Sequence, residues 1–515
     1  NNIRVSTNGG LVTENWFDLN ASRYTPSSTL QRMELLKTGY MGTLSLGWDN
    51  YLFLELTGRQ ERSSTLKDQS FFYPSANLSF LFTQAFHMPS WWNYGKLRLS
   101  YGIVGNAPET YTANIVYEQG SDNGFTWNTI PSSWGNADIR PEKKYEYEIG
   151  LESKFLNNRL GIDVSYYNNR VKDQILSTPQ PSTSGVKNVL MNVGEVANHG
   201  WDISISATPI LTRDFRWDLT ANYGVYKNKV VKLADGVPYL EILNSGGSGI
   251  KIQAVEGQPM GDIYAQVPQV NENGEYLVSD KGLYLNQTEL QKVGNINPAG
   301  VGGLFNSFSY KNVFLDFSID FRIGGDVINE MNQYATAVGL TPESLKYRDT
   351  EHGGLSYYYP GDNNSSGIPV QVDPSTGAGP NGEIIYHDGI ILPGVVASTG
   401  ERNTRIIPAG YYYNTTYNWG TEAEQLTYRH SVFDNSYVKL RELTIGYQFP
   451  EKMISKLGLG RLSVSVFGRN LFYFYKALKN YDAESSVGTS WANQATVGSS
   501  TTATRSFGVS LRASF

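Results

Sequence analysis

At 515 residues the chain exceeds the length over which one soluble hydrophobic core keeps growing, so it divides into domains, repeats, or forms a barrel. Its formal charge is -6 without a dense basic block, which argues against nucleic acid as a partner. The absence of cysteine excludes disulfides and thiolate metal sites.

No apolar run reaches the ~20 residues of a spanning helix, and the opening NNIRVSTNGG is not a signal peptide. Barrel strands are only half apolar, so they escape such a test. With 35 Tyr, 22 Phe and 10 Trp, the composition suits the aromatic girdles of a membrane barrel, and equally a carbohydrate-binding β protein.

In chain order, period-two alternation recurs while helical periodicity is nearly absent. Leu44 and Leu46 alternate with Thr43 and Ser45, and beyond a turn at Asp49-Asn50, Leu52, Leu54 and Leu56 alternate with Glu55 and Thr57. Ala76, Leu78, Phe80 and Phe82 follow, then Leu97, Leu99, Tyr101 and Ile103, then Tyr145, Tyr147, Ile149 and Leu151. The turn LNNR leads to Leu160, Ile162, Val164 and Tyr166. Trp201, Ile203 and Ile205 oppose Asp202 and Ser204; Trp217, Leu219, Ala221 and Tyr223 oppose Asp218 and Thr220. A strand near 302–310 turns at Lys311-Asn312 into Val313, Leu315, Phe317, Ile319 and Phe321. Leu443, Ile445, Tyr447 and Phe449 precede Leu462, Val464 and Val466. The chain closes on TRSFGVSLRASF, where Phe507, Val509, Leu511, Ala513 and Phe515 share one face. Charges fall on the other face: Glu55, Glu148, Asp163, Asp218, Asp320, Arg322 and Arg512. About 13–14 strands result, each near the ~10 residues that a tilted strand needs to cross a bilayer.

A soluble sandwich would share this pattern, but the connections separate the two. Short ones fall near 48–51, 83–94, 156–159, 209–214, 310–313 and 450–460. Long ones fall near 60–70, 105–142, 170–195, 228–298, 325–434 and 472–502. Regular alternation gathers all long connections at one end of an up-and-down sheet. The expected fold is therefore all-β: a transmembrane antiparallel up-and-down β-barrel with long extracellular loops and short periplasmic turns. If the last strand ends in the periplasm, the first clear one (41–48) also runs inward. An even strand number then requires another strand from residues 3–13 or a long N-terminal part beyond this sequence, and the latter is the expectation.

Several segments resemble SusC/RagA-type TonB-dependent transporters. These are NSYVKLRELTIGYQFPEKMISKLGLGRLSVSVFGRNLFYF (435–474), RPEKKYEYEIGLESKFLNNRLGIDVSYYNNRVKDQIL (140–176), NVGEVANHGWDISISATPI (192–210) and VGNINPAGVGGLFNSFSYKNVFLDFSIDFRIGG (293–325), with KLRLSYGIVGN (96–106) and RSFGVSLRASF. The resemblance implies that residues 1–515 are the C-terminal portion of a barrel of about 22 strands. The family's plug domain, TonB box and early strands have no counterpart here. It also implies outer-membrane localisation, import energised by TonB–ExbB–ExbD, a SusD-like surface lipoprotein as lid, and an oligosaccharide or peptide substrate. A surface-exposed binding or adhesion β protein with aromatic ligand sites is the alternative.

No catalytic constellation stands out. His87, His199, His352, His387 and His430 are scattered, and no G-x-S-x-G elbow occurs, so an enzyme is not expected. No cofactor is expected either. VNENGEY (270–276) and VDPSTGAGPNGE (372–383) offer calcium-type oxygen ligands but lack EF-hand spacing, and turns favour the same residues. The candidate contacts to substrate or lid are the loop aromatics Trp127, Trp134, Tyr357, Tyr358, Tyr359, Tyr411, Tyr412, Tyr413, Trp419 and Trp491. Trp48, Trp91, Trp92, Trp201 and Trp217 are expected at short-turn ends as girdle residues. Phe515 is expected to serve as the outer-membrane assembly signal.

Overall fold

The computed structural model describes residues 2–514 other than 68, 123–124, 246–248, 362–366, 419–426, 456–457, 487 and 499–502. Thirteen strands form one sheet in which each neighbours the next in chain order. They are β1 (Lys37–Trp48), β2 (Leu52–Ser63), β3 (Ser70–Phe80), β4 (Trp92–Asn106), β5 (Glu142–Phe155), β6 (Leu160–Lys172) and β7 (Glu195–Leu211). β8 (Phe215–Lys232), β9 (Pro298–Tyr310), β10 (Val313–Gly324), β11 (Tyr437–Gln448), β12 (Arg461–Lys476) and β13 (Ser506–Ser514) complete it. The chain divides into two compact units, residues 1–79, 99–147 and 169–196, and residues 80–98, 148–168 and 197–515.

In the first unit β1 and β2 pair antiparallel from Lys37↔Ser63 to Trp48↔Leu52, closed by Asp49 and Asn50 at φ 50° and 58°. Asp and Asn tolerate that left-handed conformation better than other non-glycine residues. The connection after β2 is only residues 64–69, shorter than expected, because β2 continues to Ser63. Residues 3–13 do supply a strand, Asn2–Leu11, but it pairs with Ser22–Gln31 in a separate hairpin.

In the second unit the register lays Phe308, Leu315, Ile445, Val466 and Val509 side by side across β9 to β13. This row is not a core: Ile445, Val466 and Val509 are 53%, 58% and 71% exposed. A soluble sandwich would bury such a continuous apolar face, whereas a membrane barrel turns it to lipid. The opposite face is polar and internally satisfied: Ser307 donates to Asp316 at 2.6 Å, and Thr208 to Asp218 at 2.7 Å.

Asn306 lies on the apolar face, 4% exposed between Leu304 and Phe308 in β9. Its carbonyl accepts the Trp217 indole N–H at 3.1 Å, while the Trp217 ring stacks on Phe308 at 5.4 Å. Trp217→Phe keeps the stack but orphans this amide. The expected loss is about 1–3 kcal/mol, read as a lower urea midpoint for the folded, heat-modifiable species.

Strand ends depart from the sequence expectation. β7 and β8 run 17 and 18 residues, well beyond what spans a bilayer. Backbone pairing persists there after the lipid-imposed alternation has ended. Trp201 consequently sits within β7, far from its short-turn end, where it packs on Tyr166 at 4.9 Å. Trp91, Trp92 and Phe155 do gather at a short connection, with ring centroids 5.4–6.0 Å apart. Phe82 opens a short helix, Phe82–Ala85, instead of extending β3.

Candidate functional site

The long connections of the second unit fold upon one another. Tyr239–Ser245, Ile250–Val255, Asp262–Ala265 and Gln291–Asn295 form a four-stranded sheet in that order. The 325–434 connection opens with Asp326–Ile328 paired antiparallel to Val432–Asp434. Helix α1 (Glu330–Ala337) follows, capped by the Asn329 side chain accepting from the Asn332 N–H. Ile250, Ile252, Ile263, Ala265, Ile296, Ile328, Tyr428, Val432, Ala492 and Ala495 make one buried cluster drawn from three connections. The loops are thus a folded outer layer with its own core.

That layer decides where the predicted aromatics point. Leu355–Tyr358 is an inner strand between Val370–Gln371 and Tyr386–Ile390, and its Ser356 and Tyr357 side chains are buried. Tyr357 is 1% exposed, stacks on Tyr386 at 5.5 Å and donates to Asp388 at 3.1 Å; burial and that carboxylate push its hydroxyl far above the ordinary range. Tyr359 and Tyr413 are also buried. Tyr413, on helix α2 (Ala409–Tyr417), donates to the Glu343 carbonyl at 2.8 Å. The expected contact role is corrected for these three side chains: they build the loop core. Tyr411 and Tyr412 pack beside Leu283, Ile390, Leu392 and Ile407 but stay partly exposed, as does Tyr358.

Trp491, 37% exposed, covers Gly261, whose φ of 92° and lack of Cβ allow the ring within 2.9 Å of where a methyl would stand. In the first unit Trp127 lies over Gly120 across the hairpin Glu118–Asp122/Phe125–Thr129, and Trp134 meets Tyr117 edge-on at 5.9 Å. Trp419 and Phe515 lie outside the described residues.

The calcium-like segments spend their oxygens on turns. The Asn271 side chain accepts from the Asn273 and Glu275 N–H groups. Glu383 accepts from the Asn381 N–H at 2.8 Å and the Gly361 N–H at 3.2 Å, which hold its carboxyl down at about 2. Among the described residues no group of three or more His, Asp or Glu is placed to hold a metal.

His430 stacks on Tyr417 with centroids 4.3 Å apart. Burial, assisted by the neighbouring Arg429 charge, lowers its imidazole to about 4. The unfolded ring takes its proton near 6.5 and the folded ring only near 4, so this contribution to stability is complete above 6.5 and shrinks as pH falls through that window. Protease resistance of the loop layer should decline from pH 6.5 to 4, and His430→Phe should flatten the decline.

On the polar sheet face, sequence reasoning found the charges but not their partners. Arg98 donates to Asp163 at 2.6 Å and to Ser165 at 3.2 Å. With Asp202, Asn222, Gly224, Gly303 and Asp320 they line a recess of ≈ 560 Å³. Arg441 links Asp320 to Glu484, and Glu484 also accepts from the buried Lys439 at 2.5 Å. This network ties the 477–505 connection to the sheet wall.

An apolar, exposed outer face, a polar ion-paired inner face and long connections at one end define an outer-membrane β-barrel. Residues 5–263 match the family described as TonB dependent receptor-like, beta-barrel, and the chain belongs to that family. It is 24% identical over 494 residues to TonB-dependent receptor P3 of Formosa agariphila, covering 87% of this chain and 42% of that protein. It is 30% identical over 247 residues to TonB-dependent receptor SusC of Bacteroides thetaiotaomicron, covering 44% of this chain and 24% of that protein. Among solved structures it is similar to the RagAB peptide transporter, with TM-score 0.63 and 18% identity over 90% of this chain and 47% of that one. The chain is therefore a β-barrel of the TonB-dependent receptors, a family of outer-membrane receptors and not of enzymes, with similarity to SusC and to the RagAB transporter, and it spans less than half the length of these relatives.

Proposed function

We propose that residues 1–515 are the C-terminal portion of the barrel of an outer-membrane importer, energised by TonB–ExbB–ExbD through a plug domain elsewhere in a longer polypeptide. Its cargo is an oligosaccharide or else a peptide, and a SusD-like lipoprotein closes over the loop layer. The observation that carries this reading is the ion-paired polar face with its recess, backed by an exposed apolar face: a wall built to separate lipid from a wet lumen. The exposed Trp127 and Trp491 and the partly exposed Trp134, Tyr358, Tyr411 and Tyr412, with Trp419, are the loop aromatics assigned to lid or cargo. No cofactor enters this scheme.

Uptake of labelled oligosaccharides and peptides by cells carrying the full polypeptide should stop when TonB is removed, and a surface lipoprotein should co-purify. Uptake independent of TonB would overturn the reading. Phe515 is proposed as the assembly signal. Its deletion should lower the amount of heat-modifiable protein in the outer membrane, and unchanged levels would refute the role.

A further inference from the structure

Within the first unit, three segments distant in sequence converge at the end that carries the long connections: residues 34–36 before β1, residues 64–65 after β2, and residues 110–114 after β4. They enclose a pocket of ≈ 380 Å³, within the size range of small-molecule sites. We propose that this pocket is a binding subsite for a neutral saccharide, with the Tyr111 ring as its stacking platform.

The pocket is held in shape from beneath. Ala113 and Leu66 belong to one buried cluster with Phe71 and Ile139. The Ser64 N–H donates to the Leu36 carbonyl at 2.9 Å, and the Leu36 N–H to the Ser64 hydroxyl at 3.1 Å. Tyr111 is fixed twice: its hydroxyl accepts the Glu34 N–H at 3.1 Å, and its carbonyl accepts the Asn114 N–H at 3.0 Å. Its φ is +68°, a left-handed conformation that a tyrosine adopts only where its surroundings impose it. The fold thus accepts a strained backbone to present a ring that stays 49% exposed at the pocket.

The lining selects the chemistry of the ligand. Glu34 is neutralised by Arg32, so no unmatched charge among these contacts calls for a charged ligand. Beside Tyr111 the lining includes Ser64, Thr65, Thr110 and Asn114, residue types whose hydroxyl and carboxamide groups both donate and accept, as sugar hydroxyls require. The Thr65 hydroxyl also shares a hydrogen bond with that of Ser63 at 2.8 Å. Leu35, Leu36 and Ala113 offer the apolar surface on which a pyranose C–H face rests.

The proposal rests on the import reading for its choice of a nutrient saccharide, but the binding it describes requires no energised transport. The test uses the full polypeptide purified from its outer membrane in detergent. The probes are malto-, cello-, xylo-, laminari- and manno-hexaose, with tetra-alanine as the peptide comparison, followed by saturation-transfer NMR and tyrosine fluorescence. At least one hexaose should bind. Tyr111→Gly, which adopts φ +68° without strain, should weaken that binding tenfold or more while leaving the unfolding midpoint unchanged or higher. Asn114→Ala should weaken it several-fold, and Tyr111→Phe, which keeps the ring, should retain most of it. The idea is overturned by no hexaose binding at millimolar concentration, by binding unaffected in Tyr111→Gly, or by tetra-alanine binding in preference. Hexaose binding that depends on Tyr111 together with TonB-independent uptake would remove the import reading and leave the subsite standing.

Discussion

Ile445→Arg is expected to destabilise the barrel by about 2–4 kcal/mol, whereas Thr444→Arg, one residue earlier on the same strand, should cost less than about 1 kcal/mol. Ile445 is 53% exposed and stands between Leu315 and Val466 in the apolar row. A guanidinium placed there must enter hydrocarbon or distort the bilayer around itself. Thr444 pairs with Asp316 on the polar face, where an arginine meets a carboxylate and water. Folding into lipid vesicles across a urea series reads both values. Equal costs would show that the two sides of the sheet do not face different solvents. In detergent micelles the difference should narrow, because a micelle adapts to a protruding charge.

Glu484→Gln should detach the 477–505 connection from the wall. Lys439 is 1% exposed, with its ammonium held between the Glu484 carboxylate at 2.5 Å and the Tyr473 ring at 4.8 Å. Arg441 reaches the same carboxylate at 2.6 Å. Breaking a fully buried pair costs about 3–5 kcal/mol because one charge is left without a partner. Glu484 keeps 30% exposure, so roughly 2 kcal/mol is expected after solvent screening. The loss should appear as faster proteolysis within 477–505 and a lower unfolding midpoint. Burial alone would raise the Glu484 carboxyl, but the hydrogen bonds from Arg441 and Lys439 outweigh it and hold it at about 2. The clamp is therefore in place above the ordinary 4.5, persists as the solution is acidified, and is lost as pH falls through about 2. A clamp that failed near pH 4.5 would mean that the pair carries no such coupling.

The strands were legible because lipid and lumen impose opposite chemistry on alternate residues. Phe317, Ile319 and Phe321 against Asp316, Ser318 and Asp320 identify β10 without any knowledge of its neighbours. Short turns were equally plain: Lys311-Asn312 joins Tyr310 to Val313, and Lys311 takes φ 52°. Strand length was not legible. β8 continues to Lys232 through backbone hydrogen bonds that ignore side-chain polarity, so alternation stops before the strand does.

The candidate site was read only in part. A run such as SYYYP says that rings are present, not which way they face. Tyr357 is turned inward by Asp388 and Tyr386, some thirty positions along the chain, and Tyr413 by the Glu343 carbonyl. The Lys439–Glu484–Arg441 network was missed for a related reason: its members are ordinary charged residues on a strand and a loop until the fold brings them together.

The amino-acid sequence by itself determined that this chain is a membrane-barrel wall, that it holds about 13–14 strands, and the end on which its long loops lie, because those features follow from a two-residue period and from connection lengths. Only the tertiary structure decided which loop aromatics are core and which are surface, how the loops share one buried cluster, and where residues 34–36, 64–65 and 110–114 enclose a pocket. The division has one physical cause. Strand alternation is written by solvents that act on each residue locally, while burial within the loop layer depends on contacts between segments that the linear order keeps far apart.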